Sequence, residues 1–273
     1  MFIKNLASTS IPLPASLIAA WDFESGNLEK DSVGSADWTN RTAPNDVYVD
    51  PTKYKVGSAS GLFSFARLTG MKLLDSALPV GFPLKNGTGV RKFTFCLWFY
   101  ILSIDTSFDG NNIMLAKQNA TYTNGPMIGI EKTGHLKYYT SNYLGTFLFS
   151  SMATGKWYHL AISHDCTTGG PVYPVYARLY DSILGTTQEY DNPAFTSSFS
   201  LNSKPLTIGQ RSYFDADWEG DYAFDGNIDA VRIFNDILTS SEMDDVRNAT
   251  SISGGGGGVP KDKKLIALNG FIR

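Results

Sequence analysis

The segment Phe93–Ile101, FTFCLWFYI, constrains the fold more than any other part of the chain. In an extended backbone, successive side chains point to opposite faces. Phe93, Phe95, Leu97, Phe99 and Ile101 then share one face, and Cys96, Trp98 and Tyr100 share the other. Neither face suits water, so the strand must sit centrally in a sheet that is covered on both sides.

The remaining sequence supplies partners for such a strand. LIAAWDFE opens the series at Leu17, and VGSASGLFSFARLTGMKLL reads as a short strand pair punctuated by Gly57 and Gly61. NIMLAKQ, PMIGIEK, HLKYYTS, GTFLFSS, GKWYHLAISHD, VYPVYARLYDS and KPLTIGQ follow, separated by Gly, Asn or Thr clusters. Their spacing is the roughly 8–12 residues of antiparallel sandwiches. The run from Leu206 to Ala249 reads as strand, acidic loop, strand and short helix. Thr239-Ser240-Ser241-Glu242 forms a capping box, in which the Thr hydroxyl and the Glu carboxylate each satisfy a free N–H at the helix start. Met243 and Val246 then point inward.

The expected fold class is all-β, an antiparallel β-sandwich with one short C-terminal helix and extended terminal arms. Residues 1–16 form an arm in which Pro12 and Pro14 favour extended backbone, and residues 17–252 form the sandwich. Residues 253–258 are a Gly-rich linker, and 259–273 a tail carrying Leu265, Ile266, Leu268, Phe271 and Ile272. An apolar tail beyond a flexible tether is expected to dock on another protein chain, and the arm likewise.

Hydrophobic content of 42%, with 13% aromatic residues, supports a substantial core. A formal charge of −3 without a Lys/Arg cluster argues against a nucleic-acid surface and against binding anionic membranes. No apolar stretch reaches the roughly 18 residues of a membrane-spanning helix. The opening MFIKNLASTSIPLPASLIAA makes a poor secretory signal, because Ser, Thr and two prolines break its apolar region. Cys96 and Cys166 are too few for a disulfide scaffold and lack metal-ligand spacing.

The ordered series LIAAWDFE, DSVG, FTFCLWFYI, GKWYHLAISHD, LTIGQ and FDGNIDAVRIFNDILTSSEM resembles the laminin-G-like and pentraxin-like domains of the concanavalin A-like superfamily. The resemblance covers roughly Leu17 to Ala249 and implies a jelly roll. Pentraxins pair the cysteine at the Cys96 position with one in the strand that here reads WYHLAIS, where Ala161 stands. That disulfide is therefore not expected. Gln210 is followed by Arg211, Ser212 and Tyr213 instead of the acidic run of the pentraxin loop, so that family's double-calcium site is not carried over.

Three sets of residues carry candidate chemistry. Asp215, Asp217, Glu219, Gly220 and Asp221 spell the first half of a calcium loop, with oxygen ligands at alternate positions. The twelfth position is Gly226, which rules out an EF-hand and leaves a calcium site of another geometry or a solvated acidic loop. Asp229, expected on the same face as Val231 and Ile233, would aim a carboxylate at the core edge. The resemblance implies a structural calcium near it, with Asp31 of DSVG as the matching partner; the plainer reading has Asp229 accepting backbone N–H groups. Tyr213, Trp218 and Tyr222 interleave with the acidic residues as a face that could stack on sugar rings. Aromatic residues in a sandwich are otherwise core.

Catalysis is disfavoured. Glucanases of the superfamily carry E-x-D-x-x-E on one strand; Glu189-Tyr190-Asp191 begins that way, but Ala194 stands where Glu is needed and Pro193 interrupts the strand. The expectation is a non-catalytic jelly-roll module of a larger assembly, a virion or phage surface protein in its sharper form, presenting a glycan-binding face. The alternative is a free-standing secreted or cell-surface lectin, calcium-dependent if the acidic loop holds an ion.

Overall fold

The computed structural model describes residues 11–106, 111–118, 125–141, 144–167, 172–213, 217–218 and 222–249. Strands β1 (Leu17–Trp21), β2 (Thr39–Asn40), β3 (Tyr48–Asp50), β4 (Ser60–Phe63) and β5 (Met71–Leu73) precede the long strand β6 (Lys92–Ser103). Next come β7 (Asn111–Ala116), β8 (Met127–Glu131), β9 (Leu136–Ser141) and β10 (Leu144–Phe149). They are followed by β11 (Trp157–Asp165), β12 (Val175–Asp181), β13 (Thr186–Asn192) and β14 (Leu206–Ile208). A small ribbon of β15 (Ser212–Tyr213) and β16 (Asp217–Trp218) leads to β17 (Asp225–Phe234) and helix α1 (Ser240–Asn248).

An eight-stranded sheet has the order β13-β12-β11-β6-β17-β4-β3, with β1 also on β17. A seven-stranded sheet has the order β10-β9-β8-β7-β14-β5-β2. Strand β6 lies between β11 and β17, as its two apolar faces require. Phe93, Phe95, Leu97, Phe99 and Ile101 are buried in the core between the sheets. Complete burial of each such side chain contributes about 1.5–3 kcal/mol relative to exposure.

The outer face of β6 is covered by different means. Cys96 and Ala161 pack with Phe234, Leu238, Met243 and Val246, so α1 lies across this part of the sheet. The helix is short and marginal alone, and its capping box is formed by Thr239 and Glu242. Leu13 packs on the same cluster, and the Asn235 N–H donates to the Ser16 carbonyl. The described part of the N-terminal arm therefore lies against its own domain. Further along β6, Trp98 packs with Val56, Trp157 and Ala230.

Ala161 is the register partner of Cys96 across the β6/β11 pair, and both cysteines are free and buried. Burial raises the pKa of each thiol, so neither is a reactive thiolate.

Two sequence expectations need correction. The segment from Val56 to Leu74 does not form a strand pair: β4 joins the eight-stranded sheet, β5 joins the seven-stranded one, and Gly61 lies inside β4. Residues 186–192 form β13 at a sheet edge, and Pro193 falls just beyond its end, where a missing N–H costs nothing. Asp229 does not share a face with Val231 and Ile233. A bulge between Asp229 and Arg232, with Ala230 at φ 48°, sets two residues against Leu97 and turns Asp229 outward beside Trp98.

Gly209, which links β14 to the β15/β16 ribbon, has φ 74°, and a Cβ there would lie 1.9 Å from Phe63 Cδ1. Gly209→Ala is expected to destabilise the fold by about 2–4 kcal/mol through overpacking and the left-handed backbone. Urea unfolding would show this as a lower midpoint at unchanged slope.

Candidate functional site

The outer face of the seven-stranded sheet is laid out by strand alternation. Leu136 and Tyr138 enter the core, which leaves Lys137 and Tyr139 on the outer side of β9. Register then places Phe147, Lys137 and Gly129 in one row and Gly145, Tyr139 and Met127 in the next. The Lys137 ammonium lies 4.9 Å from the Tyr139 ring centroid and 5.1 Å from that of Phe147. It also lies 3.8 Å from Glu131 Oε1. A Cβ on Gly145 would fall 2.8 Å from Lys137 Cε, so a glycine is needed for the lysine to lie across the face. Phe147 is 49% exposed, with the His135 ring 5.1 Å away.

At the other end the face is closed. Tyr222 packs on Ile113, Ala116, Met127 and Tyr139, and the buried Arg211 guanidinium sits 4.0 Å from its ring centroid. The Tyr139 hydroxyl donates to Asn111 Oδ1, and its pKa is raised by burial first and by Glu131 second. The chemistry available is a partly open aromatic ring flanked by an ammonium and a carboxylate. Such a set can stack on the C–H face of a sugar and hydrogen-bond its hydroxyls.

The residues singled out from the sequence fall in several places. The Tyr222 ring is spent on packing against Arg211 and the sheet. Tyr213 and Trp218 occupy β15 and β16, in register with Asp217 and Ser212 respectively. The side chains of Tyr213, Asp217 and Trp218, and all of Asp215 and Glu219, lie outside the described residues.

Asp31 is buried and accepts the N–H groups of Ala20 (3.0 Å), Val33 (3.1 Å) and Ala36 (3.1 Å). Asp229 is buried and accepts those of Lys55 (2.6 Å) and Val56 (2.9 Å) through Oδ2. Its Oδ1 accepts none among the described residues. The two carboxylates thus serve different segments. Among the described residues, no three His, Cys, Asp or Glu side chains gather as a cation would need. Both carboxylates cap backbone N–H groups, the plainer of the two readings given for Asp229.

Two of the three histidines, His159 and His164, are buried. His159 packs 5.1 Å from Trp98, and burial, then the positive charge of Arg247, Arg232 and Arg178, pushes its pKa down to about 3. His164, hydrogen-bonded to the Tyr138 hydroxyl at 2.9 Å, is likewise pushed down to about 3, chiefly by burial. Glu189 is exposed and pairs with Arg178 at 3.3 Å on the edge of the eight-stranded sheet. Lys137, Phe147 and Glu131 were not legible as site residues, because their alternation with core residues marks a strand and nothing more.

Residues 79–244 match the family model Laminin_G_3, of the concanavalin A-like lectin/glucanases superfamily. The fold is similar to domain 4 of AbnA, a GH43 extracellular arabinanase from Geobacillus stearothermophilus, solved in complex with arabinotriose. That likeness has 21% identity and a TM-score of 0.55, covering 85% of this chain and 98% of that one. The receptor binding domain of botulinum neurotoxin mosaic serotype C/D is similar at 14% identity and a TM-score of 0.54, covering 85% and 50%. The binding domain of Paraclostridial Mosquitocidal Protein 1 is similar at 12% identity and a TM-score of 0.53, covering 85% and 52%. The chain spans about half the length of these two toxin domains. Its sequence has no match among the curated proteins.

Burial pushes the Asp229 carboxyl up to about 7 from an ordinary 3.8, against the opposing N–H bonds of Val56 and Lys55. Between these values the folded protein holds a proton that the unfolded chain has released. The contribution is therefore complete below about pH 4 and is lost as pH rises through 7, by up to about 4 kcal/mol. Denaturant unfolding at several pH values should show this slope in the natural protein and a flatter one in Asp229→Asn.

Proposed function

The chain belongs to the concanavalin A-like lectin/glucanases superfamily, and from that premise we propose that it is a non-catalytic glycan-binding module using the outer face of its seven-stranded sheet. The observation that carries this reading is the exposed Phe147 ring, with the Lys137 ammonium held over it and Glu131 beside that ammonium. The likeness to an arabinanase domain crystallised with arabinotriose, over nearly its whole length, supports a saccharide as the ligand class. The acidic run from Asp215 to Asp221, just before Tyr222, is this reading's candidate for calcium dependence.

The packing of Leu13 on the helix cluster favours a free-standing module over a component held by other chains. Assembly through the two ends remains a separate reading with its own test. Deleting residues 1–10 or 259–273 would abolish incorporation into a particle if the ends are assembly elements, while leaving in place the Leu13 and Ser16 contacts with the sandwich.

Screening the full chain on a glycan array, with calcium and with chelator, is expected to give hits. Affinity should fall about tenfold in Phe147→Ala or Lys137→Ala, the loss of roughly one stacking contact. Absence of any hit under both conditions would sink the proposal. Turnover of a polysaccharide that is lost in Glu189→Gln would overturn its non-catalytic part.

A further inference from the structure

We propose that a cleft on the opposite sheet, at the far end of the sandwich's other outer face, is a second saccharide site that takes a neutral sugar unit. It lies where β3 and β4 meet the ends of β6 and β17, and has a volume of 320 Å³. Its walls are Tyr48, Leu62, Ser64, Arg67, Leu102 and Asp225, above the buried Phe63. This inference does not rest on the Phe147 face.

The apolar part of the cleft is unusually open. Tyr48 is 37% exposed and Leu102 41% exposed, and Leu62, the register partner of Tyr48, lies half-buried beside them. Side chains of this size gathered around a concavity offer the C–H face of a ring a surface to displace water from.

The polar part is held in place. Asp225 Oδ2 accepts the Ser103 hydroxyl at 2.5 Å, and Oδ1 accepts the Phe65 N–H at 3.3 Å. A carboxylate has about four acceptor directions, so each oxygen keeps one for a ligand hydroxyl. The Arg67 guanidinium lies 5.2 Å from the Tyr48 ring centroid and, among the described residues, pairs with no carboxylate. Its forked N–H donors are therefore available to a pair of neighbouring hydroxyl oxygens.

Charge and size select the ligand class. One guanidinium and one carboxylate leave the lining neutral, so an acidic sugar would gain at Arg67 and lose at Asp225. Polyhydroxylated rings without charge can use both walls, as acceptor at the first and donor at the second. The volume is at the lower end of ligand pockets, which run from about 300 Å³, and suits one or two sugar units more than an extended chain.

The test uses the full chain with methyl-labelled leucine, followed by NMR during titration with arabinobiose, xylobiose, cellobiose and lactose, and with glucuronic acid and sialyllactose for comparison. At least one neutral disaccharide, at up to about 10 mM, should shift the Leu62 and Leu102 methyl signals saturably. Arg67→Ala and Tyr48→Ala, both at exposed side chains, should each weaken that response at least fivefold, and Phe147→Ala should leave it unchanged. Silence of both methyls toward every neutral sugar, a response indifferent to Arg67→Ala, or a response to the acidic sugars alone would overturn the proposal. Array binding lost in Phe147→Ala alongside silent leucine methyls would refute this cleft and leave the function proposed above standing; the reverse pattern would do the opposite.

Discussion

Strand β6 has no polar face, and much of the architecture exists to cover it. The inner side is met by the seven-stranded sheet, and the outer side by α1 and by the Val56, Trp157 and Ala230 cluster. The second cover is the less expected one. A single sheet in water normally alternates apolar and polar residues, and a strand that does not must borrow a layer from elsewhere in the chain. Here the borrowed layer is one short amphipathic helix, held by its capping box and by Met243 and Val246 on Cys96 and Ala161.

That covering layer brings charges with it. The bulge at Ala230 turns Asp229 beneath the loop that carries Lys55 and Val56, and the carboxylate anchors that loop by two backbone N–H groups. Lys55 then extends over Trp98, 5.2 Å from its ring, and closes the aromatic surface. Nearby, Arg232 pairs with Asp22 and donates to the Trp21 carbonyl, tying β1 to β17. The same principle works at the rim of the seven-stranded sheet. Lys117, fully buried, meets Asp75 at 2.7 Å and the Lys204 carbonyl at 2.8 Å, pinning the turn at Asp75–Ala77 and the approach to β14 onto β7. Burial lowers the lysine's pKa and Asp75 opposes that shift. Broken, such a pair would leave an uncompensated buried charge, so it specifies position more than it adds stability.

The two proposed sugar sites differ in how they arise. The Phe147 face follows from regular alternation along β9 and β10, with Gly145 making room for Lys137. The Tyr48 cleft needs residues from β3, β4, the turn after β4, β6 and β17, brought together only by sheet order. The first kind of site could in principle be found by asking which alternate residues of a strand are polar or aromatic on the outer side. The second kind has no local signature at all.

The resemblance to pentraxins placed Ala161 opposite Cys96, and the capping box with Met243 and Val246 one helical turn apart determined the inward face of α1; period-two patterning by itself determined the sandwich and the central position of β6, since each depends on residues a few positions apart. It misplaced Asp229, because one bulged residue reverses every inference from alternation beyond it. It also paired β4 with β5, because short strands joined by a loop look alike whether they share a sheet or cross between two. Which residues remain exposed, Phe147 and Leu102 among them, and which carboxylates spend their lone pairs on backbone N–H groups, as Asp31 does, was decided only by the tertiary structure. Exposure and hydrogen-bond satisfaction are properties of the neighbours that long-range pairing delivers, and a sequence does not list those neighbours.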